Sequence, residues 1–382
     1  METWAVVNGT VVTPEETWSP GALVVAAEAI AAVGALGETP IPTGAKRVDA
    51  AGHFVVPGLV DLHIHGLLGH DCMGPGLAKA IQRLPAYGVT AFLATTLTRP
   101  AAETQEALAA MVAVLATPPQ GADCLGIHLE GPFLSSVRAG MATAAWFEPL
   151  TWERFEAYQR AADGRIRLLT FAPEAPEALA SIPRLVACGV VPSVGHSDAT
   201  YEQIVQAVQA GLCHATHTFN AMRPFHHREP GVTGAVLALD EITAQLIADG
   251  VHVHPAAMRV LLRAKGFRRV ALVSDAAPLA GLPDGLYRWG EQEVIVAGGA
   301  CRLADGTLAG AHALLDTGLR TLAQGLGLPL ADALTSAATT PAAALGVRKG
   351  RLAPGYDADI VLLDGALRPV RTFVRGREVY RA

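Results

Sequence analysis

Two histidines one residue apart, His63 and His65, close an apolar run reading FVVPGLVDLHIHG. Side chains alternate along a strand, so both imidazoles face the same way. Paired neutral imidazoles suit a divalent metal such as zinc. A carboxylate, Glu130, ends a second apolar run, CLGIHLEG, where an unpartnered charge would be costly. A metal ion answers that cost by taking the carboxylate as ligand or bridge. His196 in GHSDAT and His217 in HATHTFNAM add two imidazoles, and Asp275 in LVSDA adds an acid. Standing beside a metal, Asp275 could take a proton from water and redeliver it, which is the equipment for hydrolysing an amide or similar carbonyl bond. No GxSxG elbow offers a competing serine nucleophile.

These residues must be brought together by the elements that carry them. Strand-like runs occur at FVVPGLVDLHIHG, TAFLATT, CLGIHLEG, RLLTFAPE, VVPSVGHS, HATHTF, AQLIADG and VALVSDA. Helix-like segments such as AETQEALAAMVAVLA and YEQIVQAVQAG separate most of them. Alternating strands and helices fit either a doubly wound sheet or a (β/α)8 TIM-like barrel. The polar residues decide for the barrel. They fall at the C-terminal ends of the runs, with His252 just past the seventh, and only a barrel gathers eight strand ends at one mouth. Residues 54–345 form this expected barrel. Residues 1–53 and 346–382 are split into short apolar pieces by Gly, Pro and Asn, which predicts one small β-sandwich domain built from both termini.

Composition narrows the class. Hydrophobic residues make up 51% and charged residues 17%, so the chain is expected to fold rather than stay disordered. A net charge of −6 argues against a nucleic-acid partner. No uninterrupted apolar stretch is long enough for a membrane span, and METWAVVNGTVV lacks the basic start of a signal peptide. Five scattered cysteines without a CxxC pair read as reduced thiols, so a cytoplasmic location is expected.

The motifs PGLVDLHIHG, GIHLEGPF, GHSDAT, HATHTFNAM, HREPGVTGA, IADGVHV, LVSDA and GTLAG, in this order, resemble the N-acetylglucosamine-6-phosphate deacetylases of the amidohydrolase superfamily. The resemblance spans essentially the whole chain. It implies that Glu130, His196 and His217 form a shared metal site and that His63 and His65 make a second metal plausible, giving one or two divalent ions per chain. Zinc leads, with iron, cobalt or manganese as alternatives. Asp275 takes the place of the catalytic acid/base. Asn220 and Ala221 match substrate-contacting positions, as do Asp249, Gly250, Val251 and His252 in one loop and Leu308, Ala309 and Gly310 in another. Arg228 matches an arginine that grips the substrate phosphate and reaches the neighbouring subunit's site in family dimers, so a homodimer or dimer-based oligomer is implied.

One motif departs from the pattern. Relatives commonly read KKGAH after EGPF, ending on a substrate-contacting histidine, whereas RAGMA puts Ala142 there. The implied reaction is hydrolysis of N-acetylglucosamine 6-phosphate to glucosamine 6-phosphate and acetate. A deacylase of another N-acyl amino sugar or small amide is the enzymatic alternative, and a non-catalytic sugar-phosphate sensor the other. His128 shares a strand face with Glu130 and could support it. His53 and His70 are expected to be structural or exposed, while His226 and His227 either assist anion binding or are simply solvated, and His312 is a lesser candidate for the site. If Arg228 grips phosphate, turnover of N-acetylglucosamine 6-phosphate should far exceed that of the unphosphorylated sugar. Equal rates in a steady-state assay would remove that role.

Overall fold

A computed structural model describes residues 3–382. Eight parallel strands run in chain order around a barrel. They are β1 (Leu59–Ile64), β2 (Val89–Thr95), β3 (Asp123–Glu130), β4 (Ile166–Phe171), β5 (Val191–Val194), β6 (His214–Ala215), β7 (Thr243–Ile247) and β8 (Val270–Val273). Every residue of β1 and β2 is buried, as expected where both faces of a parallel sheet are covered. Closure between β8 and β1 is made just past β8. There Asp275 N–H donates to the His63 carbonyl at 2.8 Å, and His65 N–H donates to the Ala276 carbonyl at 3.0 Å. The hydrogen bonds that seal the barrel are therefore made by candidate metal ligands.

Packing follows from that closure. One large apolar cluster joins strand residues Phe92, Leu129 and Phe171 to Ile81, Leu108, Phe155, Ile182 and Met258 on the surrounding helices. A smaller cluster unites Leu93, Leu168, Ile247 and Val273. These come from β2, β4, β7 and β8, which are not all neighbours in the sheet, so the contacts run across the barrel interior. Local signals start the helices. Thr200 caps Tyr201–Ala210 by accepting from Gln203 N–H while the Gln203 side chain accepts from Thr200 N–H.

Between β8 and the helix Leu315–Arg320 lies a four-stranded antiparallel insert, Gly285–Trp289, Gln292–Ala297, Ala300–Arg302 and Leu308–Ala311. The reading of eight strand-helix units did not separate it from the loop after β8. Its turns carry Gly290, Gly298 and Gly299 at positive φ, where glycine has no steric penalty.

The two chain ends share one sheet. Its order is Arg377–Arg381, Pro369–Val374, Ile360–Leu363, Phe54–Pro57, Thr3–Val12, Thr17–Ala26 and Ala29–Ala35, with Lys46–Asp49 branching onto Thr3–Val12. The sheet thus takes in Phe54–Pro57, a few residues beyond position 53. Gly58 links it to β1 at a point where any Cβ would overlap Thr90.

A buried charge cluster fastens this sheet to the foot of the barrel. Lys349 Nζ lies 2.7 Å from Asp123, which begins β3, and 2.9 Å from each of Asp357 and Asp359. Burial works against the lysine charge, but Asp359 and Asp123 outweigh it and hold the ammonium above its ordinary value. Asp359 is buried with it, and desolvation raises its pKa even with Lys349 alongside. Removing the cation would strand a buried carboxylate. Lys349→Met is expected to cost about 3–5 kcal/mol, read as a lower denaturant midpoint. An unchanged midpoint would dismiss the clamp.

Candidate active site

At the barrel mouth, six side chains from five strand ends converge. Glu130 stands at the centre, with its two oxygens facing different pairs of imidazoles. Oε2 is 3.4 Å from His63 Nε2 and 3.2 Å from His65 Nε2. Oε1 is 3.4 Å from His196 Nε2 and 3.1 Å from His217 Nε2. Asp275 Oδ1 joins the first pair, 3.2 Å from His63 Nε2 and 3.3 Å from His65 Nε2. Two metal-sized clusters result, His63 with His65 and Asp275, and Glu130 with His196 and His217. All six residues are buried.

The local backbone is bent to achieve this. His196, His217 and Asp275 have φ of 48°, 31° and 50°, a left-handed region that non-glycine residues seldom occupy. Each lies two residues past its strand, where the chain turns to aim a side chain into the mouth. Such strain persists where surrounding structure holds it, and it clusters at functional sites.

Hydrogen bonds fix which nitrogen is free on two of the rings. His196 Nδ1 is 2.8 Å from the Arg138 carbonyl. A carbonyl can only accept, so Nδ1 carries the proton and neutral His196 presents a bare lone pair at Nε2. His63 Nδ1 lies 3.2 Å from Gln245 Oε1, which also accepts from His217 N–H. The same logic leaves His63 Nε2 bare. Yet His63 Nε2 is 3.2 Å from His65 Nε2, and His196 Nε2 is 3.0 Å from His217 Nε2. The bare nitrogens of His63 and His196 thus crowd against ring nitrogens and carboxylate oxygens, a setting that a bound cation would relieve. This nitrogen and oxygen donor set fits a divalent metal.

Protons respond to the same crowding. Burial pushes the Glu130 carboxyl up, but His63, His196 and His217 outweigh it and hold it well below the ordinary carboxylate range. Asp275 is likewise held far below its usual value, burial being outweighed by His63 and His65. Burial drives His65 down, but Asp275 and Glu130 bring it up to about 10. His128, beneath the site, is driven well below its usual value by burial and by His63. Its Nε2 is 2.7 Å from Thr170 Oγ1, and its ring meets His63 edge-on at 4.6 Å. A neutral, hydrogen-bonded His128 therefore supports His63 from below.

Above these groups opens a cavity of about 350 Å³. Residues 54–379 match the amidohydrolase family. The chain is 38% identical over 348 residues to the N-acetylglucosamine-6-phosphate deacetylase of Bacillus subtilis, covering 89% of this chain and 88% of that one. It is 37% identical to the human protein of that name, covering 88% and 86%. A mutant N-acetyl-D-glucosamine-6-phosphate deacetylase from Mycobacterium smegmatis, solved in complex with N-acetyl-D-glucosamine-6-phosphate, superposes with a TM-score of 0.92 at 35% identity, covering 99% and 100% of the two chains. The chain belongs to the N-acetylglucosamine-6-phosphate deacetylase family of amidohydrolases.

Within this deacetylase-family cavity, the residues expected to contact substrate divide. Ala142, Asn220, Ala221, His252, Leu308 and Gly310 line it. Ala309 is fully buried behind it. Asp249, Gly250 and Val251 stand outside the lining. Asp249 instead grips His252, accepting from its backbone N–H at 2.8 Å and pairing with its Nδ1 at 2.7 Å. Arg228 is exposed and outside the lining, its guanidinium beside His227. His312 bonds the Leu282 carbonyl and is also outside.

Sequence reasoning passed over Gln245, Asp61, Arg138 and Trp289. Asp61 Oδ1 accepts from the N–H groups of both His63 and Ser274, tying β1 to the end of β8. Trp289, from the unforeseen insert, meets the His65 ring at 5.2 Å. Gln245 was visible as a lone polar residue within the AQLIADG run, but nothing in the sequence tied it to His63. Gln245→Leu is expected to weaken metal affinity about 10–100-fold by freeing the His63 ring. Chelator competition measures this, and wild-type affinity would show that Gln245 does not orient the ligand.

Proposed function

We propose that this protein hydrolyses N-acetylglucosamine 6-phosphate to glucosamine 6-phosphate and acetate. The observation that carries the reading is Glu130 set between two pairs of imidazoles beside Asp275, in a chain similar along its length to deacetylases acting on that substrate. Glu130, His196 and His217 would hold one divalent ion, and His63, His65 and Asp275 offer donors for a second. Zinc suits the imidazole-rich set best, with iron, cobalt or manganese as alternatives. Bound there, such an ion would polarise the acyl carbonyl and acidify water.

The chain's own residues do the rest. Asp275 is ionised at neutral pH, so it can take a proton from the attacking water and pass it to the leaving nitrogen. His252, locked by Asp249, presents a rigid polar edge to the sugar. Asn220, Ala221, Leu308 and Gly310 shape the walls around it. Burial of the reacting groups strengthens each of these interactions.

Arg228 supports a dimeric reading. It sits on an exposed segment with Phe225, His226 and His227, outside the cavity of its own chain. A guanidinium binds phosphate well through two parallel hydrogen bonds, and in this position it would serve a neighbouring subunit. The five free thiols suit a reducing, cytoplasmic setting.

Asp275→Asn should lower kcat by about 10²–10⁴-fold or more while the protein still carries metal through Glu130, His196 and His217. Elemental analysis and acetate release on the same sample check both halves. Full activity in this variant, or in a metal-stripped wild type, would overturn the mechanism.

A further inference from the structure

Beside the catalytic cavity lies a second space of about 180 Å³, and the two share Leu97, Thr98, Met141, Ala142 and Trp289 as a common wall. At this wall Ala142 contributes only a methyl group, the smallest side chain of the five. The apolar lining of the second space comes chiefly from that wall, with Trp146 added beyond it. Trp289, buried at 3% exposure, packs in one cluster with Leu97 and Met141, and Trp146 lines the far side. The rest of the lining is polar, with Glu103, Glu291, Gln292 and Arg99, whose guanidinium lies 3.6 Å from Asp71. Trp289 also touches the His65 ring, so this space begins next to the metal-binding groups.

We propose that this side pocket receives the acyl chain of the substrate and that the enzyme cleaves N-acyl glucosamine 6-phosphates with chains longer than acetyl. The inference deepens the deacetylase reading and rests on it. An amino-sugar phosphate has a polyhydroxylated ring, an anionic end and one extendable apolar part, the acyl tail. Arg99 faces Asp71, so the carboxylates of Glu103 and Glu291 are left to disfavour the phosphate in the side pocket, and the indole and thioether walls favour methylenes. The acyl carbon must lie against the metal-binding groups, and the side pocket adjoins their cavity across Trp289, which meets His65. A water occupies about 30 Å³, so the space takes several methylene-sized groups. The bond broken is the same amide: water gives its hydroxyl to the acyl carbon and its proton to the leaving amine, releasing glucosamine 6-phosphate and the longer carboxylic acid.

Thr143 lines the side pocket alone and its side chain caps nothing, so Thr143→Trp should plug the space without touching the catalytic cavity. The test measures kcat/KM of metal-loaded wild type and Thr143→Trp on N-acetyl-, N-butyryl- and N-hexanoyl-glucosamine 6-phosphate. Wild type is expected to cleave the butyryl substrate within about tenfold of the acetyl one, and Thr143→Trp to lose about tenfold or more on the longer chains alone. Dissociation constants of the same compounds for Asp275→Asn should follow the same order, which separates binding from chemistry. A wild-type loss of more than about tenfold from acetyl to butyryl, or equal losses on all three substrates in Thr143→Trp, overturns the acyl pocket and leaves the deacetylase reading intact. Failure of wild type to cleave the acetyl substrate overturns that reading, and the acyl pocket with it.

Discussion

The mouth of this barrel is organised around a single buried carboxylate that no side chain alone can satisfy. Glu130 is held in its charged form by imidazoles on both sides, yet two of those rings have their protons committed elsewhere, to the Arg138 carbonyl and to Gln245. The bare nitrogens of His63 and His196 therefore each face a Glu130 oxygen at 3.4 Å. Only positive charge between them relieves that arrangement. The fold is built to hold this unrelieved geometry in place, which is why so much of it converges on β3.

Both ends of that strand are pinned. At the foot, Asp123 joins the cluster of Lys349, Asp357 and Asp359 that couples the terminal sheet to the barrel. At the mouth, Thr96 Oγ1 accepts from Glu130 N–H at 3.1 Å and Thr98 Oγ1 donates to its carbonyl at 3.0 Å. The terminal sheet thus reaches the site mechanically although it supplies no ligand. The same economy appears at β1 and β8, where Asp61 bonds both strands and the sealing hydrogen bonds belong to His63, His65 and Asp275. Barrel closure and site assembly are one event, because the same backbone groups perform both.

Much of this was readable from residue order. Strands buried on both faces leave continuous apolar runs, and polar residues ending such runs stand out against them, so the eight strands and the six converging residues could be picked out before any coordinates. The residues that orient them could not. Gln245 serves His63 across 182 positions of sequence, and no local pattern encodes such a pairing. Arg138 acts through its backbone carbonyl, which is independent of side-chain type. Trp289 sits in an antiparallel insert whose short strands and glycine turns resemble loop. The resemblance placed Asp249 against substrate, while its carboxylate is consumed by His252.

The two sides of the catalytic cavity differ in chemistry, and that difference gives a substrate only one sensible orientation. One side carries His196, Asn220 and His252, groups that hydrogen-bond, and leads in sequence towards Arg228. The other carries Leu97, Met141 and Trp289, which with Ala142 also bound an adjoining recess lined further by Trp146, Arg99, Glu103 and Glu291. The carboxylates Glu103 and Glu291 work against a phosphate there, Arg99 being turned to Asp71. Orientation is thus set by exclusion as much as by attraction. In the proposed reaction it would bring the amide to the metal-binding groups from one direction, with Asp275 on hand for the leaving nitrogen. Discrimination in such a recess rests on volume, since an apolar wall separates chains that differ by one methylene only weakly. What the recess admits is governed by the side chains that bound it, and Ala142 is the smallest of these.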